Sequence, residues 1–224
     1  MSTLPLEGFG VIFDMDGVLV DSYDAHRRSW QMLGEELGRP VGEAEFAQTF
    51  GQTSREIIRR LFGSNRSDDE VRRLDERKEG LYRDLIRGRV PLMSGATEIL
   101  QQLHGAAARL AIGSSGPPEN VRLVLEALVI VRFDAIVTGA DVTRGKPDPQ
   151  VFMFAAERLR LAPRACVVVE DAPVGVEAAH RAGMKAIGIV GSRSPDLLSS
   201  ADAQIFDLRE LTPAIVRNLA ASDG

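Results

Sequence analysis

The chain has 224 residues, 44% of them hydrophobic and 26% charged, with a formal net charge of −5 and a pI near 5.3. Such a composition describes an ordinary folded chain, long enough for one domain with an insertion, and the net negative charge gives no footing for binding nucleic acid or a membrane surface. The single cysteine, Cys166, excludes an internal disulfide framework and fits a reducing compartment, so a cytoplasmic location is expected. The opening Met-Ser-Thr-Leu-Pro-Leu-Glu-Gly lacks a basic stretch followed by a long apolar one and is not expected to be a signal peptide. No apolar run approaches the roughly 18 residues of a membrane span.

In chain order, an apolar strand over residues 9–13 ends abruptly in Asp14 and Asp16, followed by Gly17. Residues i and i+2 of an extended chain share a face, so the two carboxylates can converge on one site. Two anions at the end of a buried strand are costly without a cation beside them. Gly17 lets the backbone turn away and lets a ligand approach closely. An EF-hand loop starting at Asp14 would need an acid at its twelfth position, which is Ala25.

Helical periodicity then runs from about residue 20 to 90. His26, Trp30, Leu33 and Leu37 fall on one helix face, which Gly38 and Pro40 terminate. Thr53 or Ser54 can cap a helix through Ile57, Ile58, Leu61 and Phe62. Ser67, followed by Asp68, Asp69 and Glu70, opens a third helix. Its apolar face, Val71, Leu74, Leu81 and Leu85, is interrupted by Lys78. A lysine there must reach water, meet an internal acid such as Glu56 or Asp75, or hold a substrate anion. The ten arginines, one lysine and eight acids of residues 55–89 read as a solvated surface of mixed i,i+4 pairs.

From about residue 94, strands alternate with helices: strand Arg109–Gly113, helix Pro118–Leu128, strand Asp134–Thr138, helix Pro149–Leu159. Strand Cys166–Glu170, helix Val174–Ala182, strand Lys185–Val190 and a short strand near Ala203–Phe206 follow. Alternation of this kind implies a parallel sheet covered on both faces. The expected fold is therefore α/β, a Rossmann-like doubly wound parallel sheet formed by residues 1–20 and 91–224, with an inserted all-helical subdomain over residues 21–90. Ligands of open α/β sheets bind at the carboxyl ends of the strands.

The polar residues at those ends fit together. After the second strand come Ser114 and Ser115, just before a helix start, a natural anion site. After the third comes Gly-Lys-Pro-Asp-Pro with Lys146, where Asp148 and Pro149 can serve as cap and first turn of the next helix. The fourth ends in Glu170 and Asp171. Phosphoryl transfer through an enzyme carboxylate needs this set. A divalent cation held by Asp14 and Asp171 would screen the repulsion between carboxylate and phosphate ester. Lys146 and backbone N–H groups near Ser114 would neutralise the phosphoryl oxygens. Asp14 would attack phosphorus, and Asp16 would protonate the leaving oxygen and then deprotonate water.

In these four motifs, in this order, the chain resembles the haloacid dehalogenase-like superfamily, in the subgroup with a helical cap between the first and second motifs. The resemblance covers nearly the whole chain. It implies Mg2+ as cofactor, Asp14 as nucleophile and Asp16 as acid/base, with Lys146 completing the catalytic set. It also implies a metal bound by the Asp14 side chain, the Asp16 carbonyl and Asp171, with Glu170 nearby, and a phosphate received by Gly17, Ser114, Ser115 and Lys146. The second aspartate of the first motif resembles phosphatases and phosphomutases rather than dehalogenases or phosphonate hydrolases. Within the cap, His26, Trp30, Ser54-Arg55-Glu56 and Arg77-Lys78 resemble the β-phosphoglucomutase and sugar phosphatase group, which implies substrate roles for His26, Arg55 and Lys78. After Ser114, the mutase pattern has a serine and then a lysine where this chain has Gly116 and Pro117. The expectation is a magnesium-dependent phosphatase of small phosphorylated metabolites. The alternatives are a β-phosphoglucomutase-like phosphotransferase and, more remotely, a non-catalytic phospho-metabolite binding protein. The expected partner is a small phosphorylated molecule, with no nucleic acid, membrane or partner protein.

Overall fold

The computed structural model describes residues 5–49, 52–128, 132–191 and 194–222. The chain divides into two compact units, one formed by Met1–Asp21 with Leu92–Gly224 and the other by Ser22–Pro91.

The first unit is built on a six-stranded parallel sheet. Its strands are β1 (Gly10–Phe13), β2 (Arg109–Gly113), β3 (Ala135–Val137), β4 (Cys166–Glu170), β5 (Lys185–Ile189) and β6 (Ala203–Ile205), in the order β3-β2-β1-β4-β5-β6. All of β1 and β4 is buried, as their unbroken apolar runs require of strands covered on both faces. β1 is central, with Phe13 opposite Ile112 of β2 and Val169 of β4. The strand order reverses at β1, which makes its carboxyl end the topological switch point.

The expected strand over 134–138 is shorter in the structure because both ends are used by side chains. The Asp134 carboxylate accepts from the Leu110 N–H at 2.9 Å, and the Thr138 N–H donates to Asp141 at 2.8 Å. Cys166 lies fully buried in β4, where burial pushes its thiol up to about 12 and keeps it protonated.

The second unit consists of α1 (Tyr23–Glu36), α2 (Glu43–Ala47), α3 (Ser54–Phe62) and α4 (Asp68–Ile86). Its core gathers Trp30, Leu33, Phe46, Ile57, Ile58, Leu61, Val71 and Leu81. Thr53, not Ser54, caps α3. It forms a capping box with Glu56, as Ser67 does with Glu70 on α4, each cap contributing about 1 kcal/mol. The remaining helices, α5 (Ala96–Gly105), α6 (Pro118–Ala127), α7 (Gln150–Leu159), α8 (Pro173–Arg181) and α9 (Pro213–Ala221), belong to the sheet unit. Short α2 and the two helices α5 and α9 lie outside the sequence reading. α5 starts behind Gly95 with no side-chain cap to announce it, whereas α9 does carry the signals of a Thr212 cap and Pro213 at its first position. Among the described residues no helix is long and apolar enough to cross a membrane.

Candidate active site

The register of the central strands brings four chain segments to one edge. Asp14 continues β1, and its N–H still donates to Val169 O at 3.0 Å. Ser114 continues β2, with its N–H on Val137 O at 3.0 Å. Lys146 comes from the loop before α7. Its ammonium lies 2.9 Å from Asp14 Oδ1 and 2.7 Å from Glu170 Oε1. The second Glu170 oxygen accepts from the Ala172 N–H at 2.7 Å, so this fully buried carboxylate is held at both ends. Glu170 needs Gly175 beside it, because a methyl there would overlap its carboxylate.

The loop carrying Lys146 differs from expectation by one residue. Pro149 occupies the cap position and α7 begins at Gln150, whose N–H donates to Asp148 Oδ1 at 3.1 Å. Asp148 also pairs with Arg144 at 2.9 Å, so it braces the loop from both sides.

Burial dominates the electrostatics of Asp14 and raises its carboxyl to about 7; the Lys146 charge opposes the rise and Glu170 adds to it. Burial disfavours the Lys146 charge, but Asp14 and Glu170 outweigh it and hold the ammonium above its ordinary range. The site therefore carries more negative charge than its one lysine balances.

Asp14, Glu170 and Asp171 each offer an oxygen within 4.8 Å of the others. Three hard carboxylate donors with an unbalanced charge fit a divalent cation such as Mg2+. Gly17 makes room for this arrangement. Its φ is +75°, and a methyl on it would overlap the Asp171 carboxylate. The Gly17 N–H donates to Val20 O at 2.8 Å, so Gly17 contributes clearance rather than a free donor for phosphate.

The Asp16 carboxylate is not part of the three-acid group. It lies 3.9 Å from where a side chain on Gly116 would begin, towards the end of β2. Ser114 is buried and its Oγ accepts from the Gly116 N–H at 3.0 Å, whereas Ser115 is exposed. Neither serine caps α6, which starts behind Pro117. One of the backbone donors expected near Ser114 is thus already engaged.

The profile of the haloacid dehalogenase-like hydrolases matches residues 11–189. The chain belongs to this family. It is 32% identical over 210 residues to the β-phosphoglucomutase of Bacillus subtilis, covering 90% of this chain and 91% of that one. It is 30% identical over 217 residues to the chloroplastic 5-amino-6-(5-phospho-D-ribitylamino)uracil phosphatase of Arabidopsis thaliana. That match takes in 96% of this chain but only 58% of the plant enzyme. Among solved structures, a family IA, variant 3 HAD hydrolase from Entamoeba histolytica has a TM-score of 0.88 and 26% identity, covering 96% of this chain and all of that one.

The helical unit of this dehalogenase-family chain gathers a second polar cluster. Lys78 on α4 is 2% exposed. Its ammonium lies 2.8 Å from Glu79 Oε1 and 2.8 Å from His26 Nδ1, and 5.3 and 5.5 Å from the ring centres of Trp30 and Tyr82. An ammonium only donates, so His26 Nδ1 accepts and the ring proton sits on Nε2. The His26 and Tyr82 rings stack at 4.1 Å. Neither Glu56 nor Asp75 is the close partner of Lys78. Glu56 is committed to the α3 capping box. Asp75 is raised by burial first and then by Glu79, while Lys78, Ser54 and Arg55 pull it down. Arg55 is exposed on α3. Glu79 and Tyr82 escape the sequence reading. The one available signal is that an interrupting lysine on an apolar face needs an acid within reach, and Glu79 is its immediate neighbour.

Proposed function

We propose that the protein is a magnesium-dependent phosphatase of small phosphorylated metabolites, sugar or polyol phosphates, working through an aspartyl phosphate on Asp14. The observation that carries this reading is the strand-end constellation: Asp14 against Lys146, Glu170 and Asp171 beside them, and Asp16 just before the turn at Gly17. Bound Mg2+, held by Asp14 and Asp171 with the Asp16 carbonyl and with Glu170 nearby, would screen the repulsion between a carboxylate and a phosphate dianion. Lys146 and the Ser114 segment bind the phosphoryl oxygens. An Asp14 oxygen forms a bond to phosphorus as the bond to the ester oxygen breaks, and the Asp16 proton goes to that oxygen. Asp16 then takes a proton from the water that attacks the acyl phosphate, which frees Asp14 and inorganic phosphate.

In this reading Ser22–Pro91 is the cap that selects the substrate, through His26, Arg55 and Lys78. The pairing of Lys78 with Glu79 favours a distal polyol over a second phosphate, because the lysine charge is already matched. The same pairing, with Gly116 and Pro117 after Ser114, weighs against the phosphomutase reading that the B. subtilis relative supports. A cytoplasmic location is part of the proposal and rests on the single cysteine.

Release of phosphate from 4-nitrophenyl phosphate, abolished by EDTA and by Asp14→Asn, tests the mechanism. Turnover that survives Asp14→Asn overturns it. Conversion of β-glucose 1-phosphate to glucose 6-phosphate, without steady phosphate release, would decide for the mutase. Tight binding of a phosphate ester with no turnover across a broad panel would decide for a binding protein.

A further inference from the structure

Lys146 has a third neighbour that is not a carboxylate. Phe152, on the first turns of α7, is fully buried, and the lysine Nζ lies 4.9 Å from its ring centre. The ring cannot swing away. It packs in the core of the sheet unit with Ile12, Ala111 and Val137. It also occupies the space left by Gly113 of β2, where an added Cβ would sit 3.0 Å from Phe152 Cδ1 and 3.1 Å from Cε1. A strand residue without a side chain thus gives the aromatic ring its berth at the end of β2.

We propose that Phe152 is a positioning residue that seats the Lys146 ammonium by a cation–π interaction, which rests on the reading of Lys146 as the phosphate-neutralising group. The face of an aromatic ring attracts a cation through its quadrupole, most strongly where water is excluded. A third carboxylate could hold the lysine too, but it would add negative charge to a site that must receive a phosphate ester and already holds Asp14, Glu170 and Asp171. The ring holds the ammonium without adding net charge. It also accepts no strong hydrogen bond, so the ammonium's donors remain directed to oxygen atoms. An aliphatic side chain of similar volume would fill the same space and provide no such attraction.

The test replaces Phe152 with 4-fluoro-, 3,5-difluoro- and 3,4,5-trifluorophenylalanine in the full-length protein. These are close in shape to phenylalanine but progressively weaken the quadrupole. Three quantities are read: kcat on 4-nitrophenyl phosphate, calorimetric affinity for inorganic phosphate with Mg2+ present, and the melting temperature. The expected result is a stepwise fall in kcat, to roughly tenfold below the unmodified protein for the trifluoro ring, with Phe152→Leu at least as low. Phosphate affinity should weaken in the same order while the melting temperature stays nearly constant. A kcat and phosphate affinity that do not change along the series overturn the proposal, as does a loss that follows the melting temperature instead of the fluorine count. If the unmodified protein hydrolyses no phosphate ester, the phosphatase reading falls, and the phosphate-affinity series still decides the role of Phe152.

Discussion

The two units each bury a lysine beside an acid, and the contrast between them bears on which cluster is the proposed site. In the helical unit, Lys78 meets Glu79, a histidine nitrogen and two aromatic rings, with the half-buried Asp75 near enough to feel both the lysine and Glu79. In the sheet unit, Lys146 meets Asp14 and Glu170, with Asp171 within reach of both acids. A balanced pair can persist as structure. A surplus of carboxylates in a buried place is relieved by protonation, as the raised Asp14 carboxyl shows, or by a cation supplied from outside. The number of carboxylates in direct contact with the lysine, one against two, separates the two clusters.

The widest test of that contrast removes one partner from each cluster. Lys146→Met and Glu79→Leu both leave a buried charge without its closest partner, and each should cost about 3–5 kcal/mol in chemical denaturation. Their effects on turnover should diverge. Under the proposed mechanism, Lys146→Met lowers kcat on 4-nitrophenyl phosphate by at least about 10³-fold, because that mechanism loses an electrostatic partner of the phosphoryl group. Glu79→Leu should leave that small ester within about threefold, provided assays are run well below the melting point. Loss of aryl ester hydrolysis in a folded Glu79→Leu protein would erase the distinction drawn between the clusters.

A smaller effect is expected from Gly17→Ala. The added methyl would displace the Asp171 carboxylate, which should weaken Mg2+ binding by about 10–100-fold, the range seen when the surroundings of metal ligands are disturbed. The check is the Mg2+ concentration needed for half-maximal thermal stabilisation, a readout independent of turnover. An unchanged midpoint would remove Asp171 from the metal-binding set.

The smallest expected effect is at Asp141, a surface counterpart to both buried clusters. Hydrogen bonds from Arg158 first, and then from the Thr138 backbone, hold its carboxyl down to about 2. Because its folded value lies below its unfolded one, its stabilisation is present above pH 4 and is lost as pH falls from about 4 to 2. The residue is exposed, so solvent screening limits the contribution to no more than about 1 kcal/mol. Asp141→Asn should flatten the acid limb of the stability curve in that window and change little at neutral pH.

Much of the sheet unit was legible because its signals are local. An unbroken apolar run ending in acids fixes a buried strand and a site in one stretch, and the strands at 109–113 and 166–170 coincide with β2 and β4. The partners of the two lysines were less legible. Successive helix residues point about 100° apart, so a search for the partner of Lys78 turns to positions three or four away, yet its long side chain bends to its neighbour Glu79. Phe152 reads as one more apolar residue of a helix, and only the packing against Gly113 reveals that its ring lies beside Lys146. The start of α7 lies one residue later than the Asp148-Pro149 pair suggests, because Asp-Pro suits both a cap and the turn before one.

The central position of β1 has a consequence for how the protein is made. Of the six strands it is made first, yet its two sheet partners, β2 and β4, are separated from it by the whole helical unit and, for β4, by a further stretch of chain. Both edges of a four-residue, fully apolar strand therefore wait unpaired while the helices, whose contacts are local, can already assemble. Asp14 gains Glu170 and Asp171 as neighbours only once β4 has been made, so the three acids meet later than the helical unit can form.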